Sequence, residues 1–216
     1  MNYPLLTPDT TFDAVILADG DFPEHALALQ LLAHAPYICC CDGAATHAIE
    51  RGYMPHAIVG DGDSLPQILK TKYREILHIV SEQNDNDLTK ATRHCHALGM
   101  RRLLYLGATG KREDHTLANI SLMVHYRRSM GIIPLLLTDY GYFVTAEGSQ
   151  TFGSFARQQV SIFSFGCTQI SGSGLKWTPV TPESWWQGTL NEAIGSTFSL
   201  QGNGLYMVFR TLEPKL

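Results

Sequence analysis

Short apolar runs alternate with polar or Gly-containing turns and with stretches of helical texture from the start of the chain to about Leu137. The runs are Ala14–Ala18, Tyr37–Cys41, Ala57–Val59, Ile76–Val80, Leu103–Leu106 and Ile133–Leu137. Most are too short for helices and too continuous for half-exposed strands, so they predict strands buried on both faces. Between them the pattern predicts helices over His25–His34, Ala44–Arg51, Asp87–Leu98 and Asp114–Met130. The last three run into Gly52, Gly99 and Gly131, and glycine enters left-handed backbone without steric cost. Strand and helix in alternation predict a doubly wound parallel α/β domain with right-handed crossovers.

After about Tyr142 the texture changes. Gly, Ser and Thr become frequent and β-like runs appear at Gln159–Phe165, Gly174–Thr178, Ser196–Leu200 and Leu205–Arg210. Each is bounded by Gly, Ser, Pro or Asn, the punctuation of an all-β unit. The expected division is residues 1–143 as an α/β nucleotide-binding catalytic domain and residues 144–216 as a small C-terminal β-sandwich. A unit of about 70 residues is small for an independent core, so it is expected to lean on the first domain or on a partner chain. Trp185–Trp186 fall in a loop-like stretch where packing is the default role.

Composition narrows the function classes. The chain has 216 residues, 44% of them apolar and 17% charged, which is ordinary globular composition. A net charge of -4 without a basic run argues against a nucleic-acid partner, whose phosphates demand Lys and Arg. No apolar run reaches the length of a membrane span and no secretory pattern is visible over Met1–Thr11, so a cytoplasmic protein away from membranes is expected. Five cysteines include the consecutive Cys39, Cys40 and Cys41, with no CxxC pair; buried structural thiols fit better than zinc or dithiol chemistry.

In an open parallel sheet, ligands bind beyond the carboxyl ends of the strands. Those ends are acidic in this chain. Ala14–Ala18 runs into Asp19 and Asp21, Tyr37–Cys41 into Asp42, Ala57–Val59 into Gly60-Asp61-Gly62-Asp63-Ser64, and Ile133–Leu137 towards Asp139; the stretch after Ile76–Val80 reaches Asp85 and Asp87. Two carboxylates about 4 Å apart repel by roughly 4 kcal/mol at an effective dielectric near 20, so a cluster needs a proton or a cation. Mg²⁺ bound through carboxylates and substrate phosphates satisfies that need. Asp19 and Asp139 read instead as caps or turn formers. Asp61 and Asp63, two apart in an extended connection, share a side and could reach one ion. A dinucleotide fingerprint fits poorly, because the carboxylates would repel a pyrophosphate without a bridging metal and Leu65 stands where the third Gly belongs.

Asp87 and Lys90, three apart on a helix, either form a local ion pair or aim a cation at a phosphate. The stretch Gly107-Ala108-Thr109-Gly110-Lys111-Arg112-Glu113-Asp114-His115 follows a strand and opens a helix. Its spacing is wrong for a P-loop, yet its backbone amides and Arg112 could still hold phosphates. Asp114 reads as the N-cap of the next helix, and His115 and Asn119 share a face of it.

These segments, in order, resemble the thiamine pyrophosphokinase family: Cys41-Asp42-Gly43-Ala44, Gly60-Asp61-Gly62-Asp63-Ser64, Asp85-Asn86-Asp87-Leu88-Thr89-Lys90-Ala91, the Gly107–His115 loop with Asn119, then Gly174-Leu175-Lys176-Trp177 and Asn191-Glu192. The likeness runs from about Ala14 to Arg210. It implies a homodimer that uses Mg²⁺ and ATP to convert thiamine into thiamine diphosphate, with AMP as the other product. It implies that Asp42, Asp61, Asp63 and Asp87 surround the metal and phosphates, with Lys90 as a further catalytic position. Gly107, Thr109, Gly110, Arg112, Asp114, His115 and Asn119 fall on the nucleotide side, and Trp177 and Asn191 on the thiamine pocket at the dimer interface. Lys111 stands where the family pattern has a second Gly, and Leu190 where a Ser precedes Asn191. Two other readings fit parts of the chain: a Mg²⁺-dependent phosphohydrolase, which needs neither Trp177 nor the β-domain, and a non-catalytic nucleotide- or thiamine-sensing module, which leaves the costly acidic cluster unused.

Overall fold

The computed structural model describes residues 2–215, which form two compact units. One unit is Pro8–Thr138; the other gathers the residues through Thr7 and those from Asp139 onward. The strand β1 (Asn2–Tyr3) belongs to the second unit.

The first unit contains β2 (Ala14–Leu17), α1 (Ala26–Ala33), β3 (Ile38–Cys41), α2 (Ala44–Glu50), β4 (Ala57–Gly60), α3 (Gln67–Lys72), β5 (Leu77–Ile79), α4 (Asp87–Ala97), β6 (Arg102–Leu106), α5 (Glu113–Met130) and β7 (Ile133–Leu137). All pairings among its strands are parallel, in the order β7-β6-β2-β3-β4-β5. The chain starts at β2, moves outward to β5, then returns to lay β6 on the other side of β2, so the switch point lies between β2 and β6. β2, β3 and β4 are buried at every residue, the burial expected of strands covered on both faces. All five cysteines are buried and free, and burial pushes the Cys40 thiol up to about 12, so these thiols are inert packing.

The expected helices form with clear local causes. His25 caps α1 by accepting the Leu27 N–H at 3.2 Å, and Asn86 caps α4 by accepting the Thr89 N–H at 3.0 Å. Gly131, at φ +65°, ends α5. One expectation fails here: Asp114 is not the N-cap of α5, because Arg112 holds that position and Asp114 lies inside the first turn, bonded to the Arg112 guanidinium. Helix α3 escapes the apolar pattern because it buries no residue.

The second unit is an antiparallel arrangement of β8 (Gly141–Gly153), β9 (Gln158–Phe165), β10 (Ile170–Ser173), β11 (Asn191–Glu192) and β12 (Thr197–Pro214), with β1 parallel to β8. Strand β8 runs through the boundary expected at 143/144, and the unit takes in all of it. The two runs expected at Ser196–Leu200 and Leu205–Arg210 are one strand, β12, with a register shift between Gly202 and Leu205. Before the bulge β12 pairs with β10 and the end of β8; after it, with β9 and the start of β8. The resulting halves pack as a small sandwich. Phe152 stacks on Tyr3 and Phe198, each at 5.0 Å, and meets Tyr206 at 6.5 Å. Arg210, 1% exposed, donates to the Tyr3 and Gly153 carbonyls across that core and lies 4.7 Å over the Tyr142 ring. The strand expected over Gly174–Thr178 does not form, because Gly174 turns at φ +81° and only Leu175 bridges to Ala193. Trp185 packs on Phe165 at 5.2 Å, while Trp186 is largely exposed.

Candidate active site

A cleft of about 350 Å³ opens at the carboxyl ends of the parallel strands, in the first unit. Residues after β2, β3, β4 and β6 line it, together with the start of α4 and the first turns of α5. The strand order explains the place: neighbouring connections diverge to opposite faces at the switch point and leave a crevice.

Asp42 follows β3 directly. Its backbone is at φ +30°, a left-handed value uncommon for a side-chain-bearing residue, and such strain concentrates at functional sites. Gly60 makes room for it: a Cβ there would lie 2.7 Å from the Asp42 Cβ. Asp42 is 3% exposed. Its Oδ2 accepts the Ser64 N–H at 2.8 Å, while its buried Oδ1 has no hydrogen-bond partner. Burial holds its carboxyl above the usual range, with a further push from the charges of Asp87 and Asp61.

Asp42, Asp61 and Asp87 bring carboxylate oxygens within 4.8 Å of one another. Three anions at that distance repel by roughly 3 to 4 kcal/mol per pair at an effective dielectric near 20. Lys90 offsets part of this: its Nζ, almost wholly buried, donates to Asp87 Oδ1 at 3.2 Å. Asp61 accepts the Asp63 N–H at 3.1 Å and the Gln83 side-chain amide at 3.2 Å, and these bonds lower its carboxyl. The unpartnered Asp42 oxygen and the all-oxygen donor set fit a hard divalent cation.

Asp63 is exposed, and neither the cluster nor the cleft includes it. Arg112 lines the cleft, held by a two-point bond to Asp114 that takes the Asp114 carboxyl down to about 2. Asp114 itself is absent from the lining. Gly110, His115 and Asn119 line the cleft, whereas Gly107 and Thr109 stand behind it, their carbonyls accepting the Gly20 and Asp21 N–H groups. Asn119 also braces the fold. It donates to the Ala108 carbonyl at 2.8 Å and accepts from Asn86 at 3.1 Å, tying the start of α5 to the cap of α4. Asp19, expected as a cap or turn former, caps no helix and lines the cleft with Gly20, Ser64, Gln83 and Lys111. Gln83 carried no sequence signal beyond lying near Asp85 and Asp87.

In the second unit Trp177 and Asn191 meet. The Asn191 side chain accepts the Trp177 N–H at 3.2 Å and donates to the Trp177 carbonyl at 2.8 Å. Trp177 is 53% exposed, with Lys176 Nζ 4.9 Å from the centre of its ring. Leu190, just before Asn191, is exposed at φ +67°.

Comparison with known proteins finds two models of one family matching successive parts of the chain. Residues 28–133 match the thiamin pyrophosphokinase catalytic domain and residues 141–209 match the thiamin pyrophosphokinase substrate-binding domain. Thiamin pyrophosphokinase 1 of Caenorhabditis elegans is 27% identical over 121 residues, a stretch spanning 52% of this chain and about half, 49%, of that relative. The fold matches thiamin pyrophosphokinase from Candida albicans with a TM-score of 0.77 at 16% identity, covering 98% of this chain and 92% of that one. It matches the Bacillus subtilis enzyme with a TM-score of 0.76 at 17% identity, covering 92% and 98%. Two successive domains of one family, matched in order along a chain that folds as its solved members do, identify the protein as belonging to the thiamin pyrophosphokinase family.

Proposed function

We propose that the protein transfers the pyrophosphoryl group of ATP to the hydroxyl of thiamine, releasing AMP and thiamine diphosphate. The observation that carries this reading is the carboxylate triad Asp42, Asp61 and Asp87, with its buried unpartnered oxygen, in a cleft that Lys90 and Arg112 also line. Family membership supplies the substrates. The triad would hold Mg²⁺, which when bound offsets charge on the phosphates. Lys90 and Arg112 supply fixed positive charge, so the protein's part is positioning and electrostatic stabilisation more than covalent chemistry. Gly110 and His115 border the nucleotide, and Asn119 keeps the two helices around it in place. Gly107, Thr109 and Asp114 act one step back, through the loop and through Arg112. Asp63 lies in the connection after β4 with Asp61, without joining the triad.

Trp177 offers a flat exposed face for an aromatic heterocycle, and Asn191 fixes the backbone that presents it. We take the thiamine pocket to be completed by a second copy in a homodimer, as the family resemblance implies, in a cytoplasmic protein. Among the described residues no helix is long and apolar enough to cross a membrane.

The test is product analysis with thiamine, ATP and Mg²⁺. AMP and thiamine diphosphate in equal amounts, abolished by a chelator, are the expected result. ADP with thiamine monophosphate would replace pyrophosphoryl by phosphoryl transfer. Thiamine-independent phosphate release would make the protein a phosphohydrolase, and binding without turnover a sensor.

A further inference from the structure

The loops after β2 and β6 meet at the switch point and stay joined past the strand ends. Ala18, Gly20 and Asp21 donate their N–H groups to the carbonyls of Leu106, Gly107 and Thr109 at 2.9, 2.7 and 2.9 Å. The approach is so close that a Cβ on Gly20 would strike the Thr109 and Gly107 carbonyl oxygens, and one on Gly110 the Asp21 carboxylate. Backbone bonds therefore already join these loops, before any side chain is considered.

Lys111 lies in this loop at φ +57°, where the family pattern has glycine. Left-handed backbone costs a side-chain-bearing residue about 1 kcal/mol or more. Its Nζ donates to the Asp19 carbonyl at 2.7 Å and reaches Asp19 Oδ1 at 3.3 Å. That ion pair is about half exposed on both sides, and such pairs contribute under about 1 kcal/mol. The ion pair with the carboxylate is thus no larger than the strain; the bond to the Asp19 carbonyl adds to it, and the backbone bonds join the same two loops. Lys111 and Asp19 both line the cleft beside Arg112. The Asp19 carboxylate lies against the residue after Asp42, since a Cβ on Gly43 would be 3.1 Å from its Oδ2.

We propose that Lys111 is a further nucleotide-contacting residue of this chain, which exchanges Asp19 for a phosphoryl oxygen of the bound nucleoside triphosphate, with Asp19 as its resting counter-ion. The inference rests on the nucleotide reading of the cleft. It assigns a purpose to a strained lysine in a glycine's place.

The experiment is calorimetric titration of the full chain with Mg²⁺ and a non-hydrolysable ATP analogue, using K111M, K111G, D19A and the D19A/K111M double variant. K111G guards against misfolding, because the backbone at this position suits glycine. Loss of the cation in K111M or K111G is expected to weaken binding about tenfold, the scale of one charge-assisted hydrogen bond. D19A is expected to bind as tightly as the native chain or tighter, and that gain should vanish when Lys111 is also replaced. K111M binding within about twofold of native would overturn the proposal, as would D19A weakening binding as much as K111M, the signature of a mere latch. A native chain that fails to bind the analogue overturns it too. Lys111-dependent binding without formation of thiamine diphosphate would support this inference while removing the transferase reading.

Discussion

The Asp42 carboxylate accepts the Ser64 N–H at 2.8 Å through one oxygen and keeps its other oxygen buried without a partner. A half-satisfied buried anion beside Asp61 and Asp87 is destabilising until a cation joins it, which makes the site's cost measurable apart from its chemistry.

Asp42→Asn is accordingly expected to stabilise the metal-free protein while abolishing turnover. The folded-state pKa of Asp42 is raised, so the folded chain binds the proton more tightly than the unfolded chain, and Asp42 subtracts stability as pH rises from its unfolded pKa through the folded one. At about pH 7 the variant should melt a few degrees higher in chelator; at about pH 3, with the carboxyl protonated, the difference should close. Equal melting points at neutral pH would contradict the assignment of a buried, uncompensated charge.

Asp61→Asn is expected to lower kcat at least about a hundredfold, the scale of losing a group that holds a catalytic cation. Asp63→Asn should lose less, because Asp63 lines neither the cluster nor the cleft. Steady-state rates at saturating ATP and thiamine compare the two, and an Asp63 effect as large as that of Asp61 would bring Asp63 into the ligand set.

Lys90 is buried and paired with Asp87. Removing the anion strands the cation, so Asp87→Asn should destabilise by about 2 kcal/mol, below the value for a fully buried pair because Asp87 is partly exposed. Asp87→Asn with Lys90→Met should recover most of that loss in urea melts, while turnover stays absent. No recovery would mean that the two side chains are not energetically coupled.

Asn191→Ala removes both bonds that fix the Trp177 backbone. The expected outcome is a KM for thiamine raised by up to about thirtyfold with the KM for ATP nearly unchanged, since the two bonds contribute about 1 kcal/mol each. A change in the ATP constant instead would detach this pair from the thiamine side.

Much of the architecture is legible locally. β2, β3, β4 and β6 read directly as unbroken apolar runs because both faces are covered. Helices α2, α4 and α5 announce their ends through Gly52, Gly99 and Gly131. The misses share a cause. Helix α3 buries nothing and so leaves no periodic trace. Strand β12 has its pattern broken by a bulge, so one strand reads as two. Asp114 has the composition of a cap, but its partner is a side chain, Arg112, whose reach local sequence does not reveal.

The sequence by itself determined the alternation that builds the parallel sheet, the switch to an all-β unit and the acidic residues at the strand ends, because each depends on neighbours along the chain. Only the tertiary structure decided that Asp42, Asp61 and Asp87 converge while Asp63 does not, that Gln83 and Asp19 reach the cleft, and that Lys111 bears a glycine's backbone beside Asp19. Those relations are distances between loops far apart in sequence, set by strand order and crossover, and charge interactions depend on separation and burial more than on residue type.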